Sequence, residues 1–414
     1  MIYKCKQCDS ALEYNPISDK MECGHCGGVY TVYELENGIV NDAPVRDSAE
    51  AAILLNESVE ETEEGFQTLE ERKAILEYMK HAQMMSCKVY TCTSCGADVI
   101  INDVEVSTFC SYCGQPTIVF ERMQEEMKPN YIIPFRITNE QVTSAIRERI
   151  RKTWLRPRDV GEVKPELIRG VYVPHWVFDM HYYDYQSWRC EKKEDDNVII
   201  TFREIEAECD FEGIAVDASE NVDDELAQRV GPFDLRCKKT FDPAYLAGYY
   251  ADMFDRDQSE MSVSAMKVAK PLFDYEIRNR IAKGGTISQA YSLPEYKIKS
   301  AEYVLLPIWF YTYRYKGVPH TILVNGQTGK MVGAVPISKV KVIVLFVFLA
   351  ILCILLSFAL AYGMPYTLTH AIMLLIAGIA FFFARLGLKS VRSNIILSQT
   401  RDIMNYAKKR QARE

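Results

Sequence analysis

Eight of the thirteen cysteines fall into two sets that share one spacing. Cys5, Cys8, Cys23 and Cys26 form a CxxC pair, a gap of fourteen residues and a second CxxC pair; Cys92, Cys95, Cys110 and Cys113 repeat this at an offset of 87. Four thiolates arranged in this way match the tetrahedral preference of Zn²⁺, and a filled set of four protein ligands leaves no open position for a catalytic water. The spacing therefore predicts two structural zinc ribbons, each with four cysteine ligands. Rubredoxin-like iron is the competing ion, because it takes the same four thiolates. A disulfide framework does not suit a segment in the reducing cytosol, and a redox CxxC needs no second pair at matched spacing. Gly27 and Gly114 follow the last cysteine of each set, where a positive φ would turn backbone N–H groups toward the sulfurs. Tyr3 and Tyr90 also correspond, and His25 and Tyr112 lie between the last two ligands, with His25 read as an exposed knuckle residue. Cys87, Cys190, Cys209, Cys237 and Cys353 are read as small buried hydrophobes.

Two further patterns carry chemistry. Strand alternation puts His175, Asp179 and His181 on one face of a predicted strand, where two imidazoles and a carboxylate suit metal binding or acid–base work. A half-buried sheet face with polar tips is the commoner use of such residues, so no catalytic residue is assigned and the chain is not read as an enzyme. The run GQTGKM at 326–331 lacks the glycine spacing and the Ser or Thr after Lys of a phosphate loop. It reads as a hairpin turn.

These groups need elements to hold them. Glu57 to Glu64 is a carboxylate-rich linker, and Thr68 with Glu71 offers a capping box for a helix reaching toward Ser86. After a polar stretch, Glu121 to Lys128, a folded region begins at Tyr131. Thr138 with Gln141 caps a second helix, along which Val142, Ile146, Ile150 and Trp154 recur on one face. Val171–Tyr185 and Tyr303–Tyr315 read as related strands: Val173, Pro174, His175, Trp176 and Val177 match Leu306, Pro307, Ile308, Trp309 and Phe310 at an offset of 133. Each proline is expected at a strand start or edge, and Tyr131–Phe135 is read as a degenerate third copy. Met261, Ala265, Val268, Leu272 and Ile281 mark another helix, which Pro271 is expected to kink or restart. Tyr303 to Val335 reads as a β-meander.

The meander runs into an apolar hairpin. Val342 to Tyr362 is 21 residues without a formal charge, about 31 Å of helix, and Tyr366 to Ala384 is 19 more after a Gly363-Met364-Pro365 turn. Lys339 and Lys341 precede it and Arg385, Lys389 and Arg392 follow it, which predicts a two-helix transmembrane hairpin with both ends in the cytosol. The first residues are too polar for a signal peptide. Net charge is −8, yet residues 385–414 hold eight basic and two acidic side chains, leaving about −14 for the rest. An acidic body with net acidic ribbons argues against nucleic-acid binding, and a basic tail suits anionic headgroups. The expected fold class is multidomain: zinc ribbons at 1–35 and 87–120, an acidic linker with a helix at 36–86, an α+β body with an antiparallel sheet at 128–336, the transmembrane hairpin at 339–386 and a basic amphipathic tail at 387–414.

The duplicated ribbons, the two Pro-x-Trp strands, the run VNGQTGKMVGAVPISK and the hairpin together resemble bacterial, largely Firmicute, membrane proteins described as TFIIB-type zinc-ribbon-containing. Members often carry replication-factor or helicase names, which imply a Walker loop and a basic nucleic-acid surface that this sequence lacks. The resemblance implies a docking platform at the plasma membrane, with flotillin-like or phage-shock-type membrane proteins as partners. The whole reads as a membrane-anchored, cytosol-facing scaffold that docks protein partners through its ribbons. A membrane-tethered nucleic-acid-binding regulator and a metallohydrolase using His175, Asp179 and His181 are the alternatives.

Overall fold

A computed structural model describes residues 3–36, 84–101 and, with short interruptions, 110–361, together with 378 and 385. The first ribbon consists of β1 (Glu13–Asn15), β2 (Lys20–Glu22) and β3 (Val29–Tyr30) in an antiparallel sheet, followed by the short helix α1 (Val32–Glu36). The second is built on β4 (Met84–Cys92), β5 (Asp98–Ile101) and β6 (Val119–Met127). Its strands reach past the cysteines on both sides: Met84–Ser86 belongs to β4 and residues 121–127 to β6, where the sequence predicts a helix end and a polar linker. The acidic run and the Thr68 capping box lie outside the described residues.

The α+β body is a duplication. One copy comprises β7 (Tyr131–Ile132), helix α2 (Asn139–Lys152), β8 (Ile168–Glu194) and β9 (Asn197–Asp217). Helix α3 (Asp224–Val230) and β10 (Lys239–Thr240) lead to the other, formed by β11 (Tyr250–Asp252), helix α4 (Gln258–Ile281), β12 (Thr286–Tyr315) and β13 (Val318–Asn325). β14 (Met331–Val332) closes the meander. The copies exchange their first strands: β7 runs parallel to β12, and β11 runs parallel to β8. β8 and β12 pair antiparallel along nearly their whole length, with Tyr172 opposite Pro307 and Leu305 opposite Pro174, so a pseudo-twofold axis passes between them. Tyr131–Phe135 is thus the counterpart of β11 and its exit, not a third copy of the Pro-x-Trp strand.

Matched hydrogen bonds lock the exchange. Trp176 Nε1 donates to the Arg256 carbonyl at 3.1 Å, and Trp309 Nε1 donates to the Ile137 carbonyl at 3.0 Å, each just before the other copy's helix. Thr138 caps α2 through the full capping box with Gln141, and Asp257 caps α4 by accepting from the Glu260 N–H. Val142, Ile146 and Ile150 bury one face of α2, and Met261, Ala265, Ala269, Phe273, Ile277 and Ile281 bury one face of α4; Trp154 lies outside the described residues. Leu272 is exposed, and Pro271 sits inside one continuous helix without restarting it. Both Pro-x-Trp prolines are in mid-strand, not at a start or edge. Pro174 lies where the outer neighbour of β8 changes from β11 to β9, and Pro307 where that of β12 changes from β7 to β13. Each missing N–H faces a junction with no strand to serve, and each carbonyl is used, by the N–H of Ala218 and of Gly326.

The sheet continues beyond β11 into the second ribbon, in the order β10-β7-β12-β8-β11-β5-β4-β6. β8, β9 and β12 run 27, 21 and 30 residues, far past the usual strand length, and α4 covers part of their ladder. Beneath it Asp184, fully buried, accepts from Gln186 Nε2 at 2.7 Å and Ser292 Oγ at 2.9 Å. Helix α5 (Lys339–Ala361) follows the meander and is tied to the end of α2 by the Ser338 N–H, which donates to the Leu155 carbonyl. Among the described residues no helix is long and apolar enough to cross a membrane. The unbroken run of described side chains in α5 ends at residue 348, and nearly all of the return segment is outside the described residues.

Candidate metal centres

The sulfurs are gathered by paired turns. In the first ribbon the Asp9 N–H donates to the Cys5 carbonyl and the Gly27 N–H to the Cys23 carbonyl, curling each CxxC around a common point. The second ribbon repeats the turn with the Gly96 N–H on the Cys92 carbonyl. The residue after the second cysteine of a pair is left-handed in all three turns: φ is 59° at Asp9, 73° at Gly27 and 74° at Gly96. Gly114, the other predicted position, is outside the described residues. Asp9 escapes a reading of the sequence because it is not a glycine, although Gly96 stands at the same offset.

In each set the four Sγ atoms lie within 4.8 Å of one another. Cys5 to Cys26 and Cys8 to Cys23 are 3.4 Å apart; Cys92 to Cys113 and Cys95 to Cys110 are 3.8 and 3.7 Å. A metal–sulfur bond of about 2.3 Å in a tetrahedron puts sulfurs about 3.8 Å apart, so both sets suit a bound metal ion. All described cysteines are free, and the spacings are far beyond the roughly 2 Å of a disulfide. The Gln7 N–H and the Tyr30 hydroxyl lie 3.4 and 3.3 Å from the Cys5 sulfur. Tyr30 leads the contacts that lower the Cys5 pKa, and the Ser10 hydroxyl and backbone bring Cys8 down to about 5. The Gly28 backbone draws Cys26 down as well, yet the Cys5 and Cys8 sulfurs push it up to about 12. Four thiolates this close need a cation among them.

The two centres sit differently. In the first ribbon His25 and Cys26 of the second knuckle are exposed. The ribbon leans on the body through Tyr14, whose N–H donates to the Ala247 carbonyl and whose ring meets Tyr245 edge-on, and through Lys239 with Asp19. In the second ribbon the matching knuckle is docked: Tyr112 is buried against Phe310 at 5.2 Å, and the Ser111 carbonyl accepts from Thr312 Oγ1 at 2.8 Å. Tyr3 and Tyr90 are both buried. Behind Tyr112, Asp252 is fully buried among Ser219 and Asn221, and that burial, with Asp255 nearby, lifts its carboxyl to about 7.

His175, Asp179 and His181 do not converge. They keep to one face of β8, since the bulge opposite Asp179 lies in β9, but a strand rises about 3.3 Å per residue and sets His175 about 13 Å from Asp179. His175 is buried and bonded to the Val173 carbonyl, and burial pulls its pKa down to about 4. Asp179 accepts from the Gly213 N–H and Ser300 Oγ, while His181 pairs with Asp210 at the surface. Among the described residues only the two cysteine sets could hold a metal ion. The GQTGKM run is the β13–β14 turn, closed by the Gly329 N–H on the Asn325 carbonyl and pinned to the 230–234 segment by Asn325 and Gln327.

The chain is 31% identical over 239 residues to a protein of Bacillus subtilis, a match that covers 54% of this chain and 69% of the relative. No family model matches the chain. No solved structure matches it either.

Proposed function

We propose that this chain, which belongs to the same family as the uncharacterized protein YdjG of Bacillus subtilis, is a membrane-anchored scaffold that docks protein partners from the cytosolic side. The observation that carries the reading is the start of α5. Ile343, Val344, Phe348 and Ile351 are exposed there, on a helix whose sequence carries no charge from Val342 to Ala361. Uncovered aliphatic and phenyl groups along a helix favour lipid over water. The Ser338–Leu155 bond brings that helix beside the end of α2, where Arg149, Arg151, Lys152 and Arg158 are exposed, and such a basic collar suits anionic headgroups. The charge-free segment 366–384 supplies the return crossing, and the resemblance to zinc-ribbon membrane proteins points the same way.

The metal is zinc in this reading, held by Cys5, Cys8, Cys23 and Cys26 and by Cys92, Cys95, Cys110 and Cys113. Zinc supplies no chemistry here beyond cross-linking, since four cysteine ligands close its coordination. The second centre works inside the body, as an extension of its sheet. The first, with its open knuckle, is the docking element, and the partner class follows the resemblance: flotillin-like or phage-shock-type membrane proteins. Affinity purification of the detergent-extracted chain, intact against Cys5→Ser/Cys8→Ser, tests this by mass spectrometry. The reading predicts defined proteins lost with the first ribbon. Recovery of nucleic acid, or partners indifferent to the ribbon, overturns it.

A further inference from the structure

β8 and β12 stay paired beyond the core, with β9 on the outer side of β8, and α4 covers one face of this three-stranded ladder. Ile205, Ala207, Cys209 and Phe211 of β9 pack under the helix. Alternation therefore turns Glu204, Glu206, Glu208 and Asp210 to the open face, where all four are exposed. Near its last turn α4 reaches Trp188, where Arg278 lies over the indole. Trp188 pairs with Arg203, and beyond that point β9 is open on both faces: Val198, Ile199, Ile200 and Phe202 are 57, 44, 44 and 63% exposed.

Among the described residues β9 has a strand neighbour on one side only, β8, so its outer edge offers backbone N–H and C=O groups to another strand. Such edges are normally guarded by charge, proline or bulges. The outer edge of β12 before Tyr303 holds Pro294, Lys297 and Lys299 and shifts register at 289–291 and 298–300, and β6 carries Glu121, Glu125 and Glu126. On β9 a carboxylate at every second position guards Glu204–Glu212, but Val198–Phe202 is apolar and unguarded. That run is complementary to itself. Two copies laid antiparallel about Ile200 set Ile200 against Ile200, Val198 against Phe202, Ile199 against Thr201 and Asn197 against Arg203. Their open faces then join on one side of the seam, with all the apolar side chains of that face together. Moving the axis inward by one residue sets Val198 against Glu204, and by four sets Glu204 against its own copy. Moving it toward the turn leaves Phe202 unpaired. The carboxylate row thus confines self-pairing to a single register.

We infer that a second copy of this chain pairs with β9 along Asn197–Arg203, edge to edge and antiparallel, joining two three-stranded ladders into one sheet. A seam this short falls below the roughly 1,200 Å² of a stable complex, so the dimer is weak and reversible. Pairing does not require the membrane anchor, although copies held in one bilayer meet at higher effective concentration.

The test is disulfide cross-linking of the full-length, zinc-loaded chain in detergent, with Ile200→Cys and Glu206→Cys compared against the intact chain after copper-phenanthroline oxidation. Facing Cα atoms at the axis lie about 4.5–5.5 Å apart, within disulfide reach, whereas Glu206 and its copy would lie about 40 Å apart. About tenfold more two-chain product is therefore expected from Ile200→Cys than from Glu206→Cys. Light scattering against concentration should show the intact chain passing from monomer to dimer, with the midpoint raised about tenfold by Ile200→Lys. That variant should keep the melting temperature, since the side chain it replaces is exposed. Equal cross-linking at both positions, a monomer at every concentration, or a dimer indifferent to Ile200→Lys overturns the inference. So does oxidation in intact cells if Ile200→Cys joins a chain of another mass, which assigns the edge to a different protein's strand.

Discussion

At the scale of single residues, the cysteines divide by what surrounds them. Cys92→Ser is expected to cut the bound metal from two ions per chain to one and to lower the melting temperature of the whole body, because the knuckle it anchors carries Ser111 and Tyr112 onto Thr312 and Phe310. Cys5→Ser should remove one ion with a smaller thermal effect; elemental analysis beside calorimetry separates the two. Buried ionisable groups make the second prediction. His175, with its pKa lowered to about 4, stays neutral when folded, so its contribution is intact above pH 6.5 and is lost as pH falls toward 4, up to about 3 kcal/mol. Asp252, raised to about 7, acts in the opposite sense: the fold is favoured below pH 4 and loses up to about 4 kcal/mol as pH rises to 7. Between pH 4 and 6.5 these two slopes oppose each other, so stability should be nearly flat with pH in the intact chain and should rise with pH in Asp252→Asn, with Ser219, Asn221, Tyr112 and Asp255 left in place. The ligands were legible because metal geometry constrains sequence spacing directly. His175 and Asp252 were not, since burial of a polar side chain depends on elements distant in the chain.

At the scale of elements, the pseudo-twofold body makes paired predictions. Trp176→Phe and Trp309→Phe each leave a carbonyl, of Arg256 or Ile137, without its indole donor, and each should destabilise the fold by about 1–3 kcal/mol in denaturant titration. Similar values are expected because the two bonds occupy equivalent places; a large difference would contradict the duplication. Thr138→Ala should cost about 1 kcal/mol through loss of the capping box. That box was readable in sequence, as was the buried face of α2, because both depend on residues within one helical turn of each other. The Pro-x-Trp repeat was equally plain, but its meaning was not: a proline in mid-strand is admitted only where neighbouring strands change over, and no local pattern reports that. The exchange of β7 and β11 between copies was hidden for the same reason. The bulge in β9 opposite Asp179, whose Gly213 N–H donates to that carboxylate, likewise escapes a simple alternation of faces.

At the scale of the whole molecule, the two ribbons have unlike roles despite their common spacing. One prolongs the central sheet through β5 on β11; the other meets the body through a few contacts and encloses an acidic cleft. The acidic body and the basic tail were evident from composition, but the asymmetry of the ribbons needed the fold. The account as a whole depends on where the body is held, since a docking surface beside a bilayer differs in function from one free in the cell. The most direct test is alkaline carbonate extraction of cell membranes, followed by immunoblotting of pellet and supernatant for the full-length chain. The account predicts that the chain stays in the pellet with integral proteins. Its release into the supernatant would contradict the anchor at α5 and, with it, the scaffold.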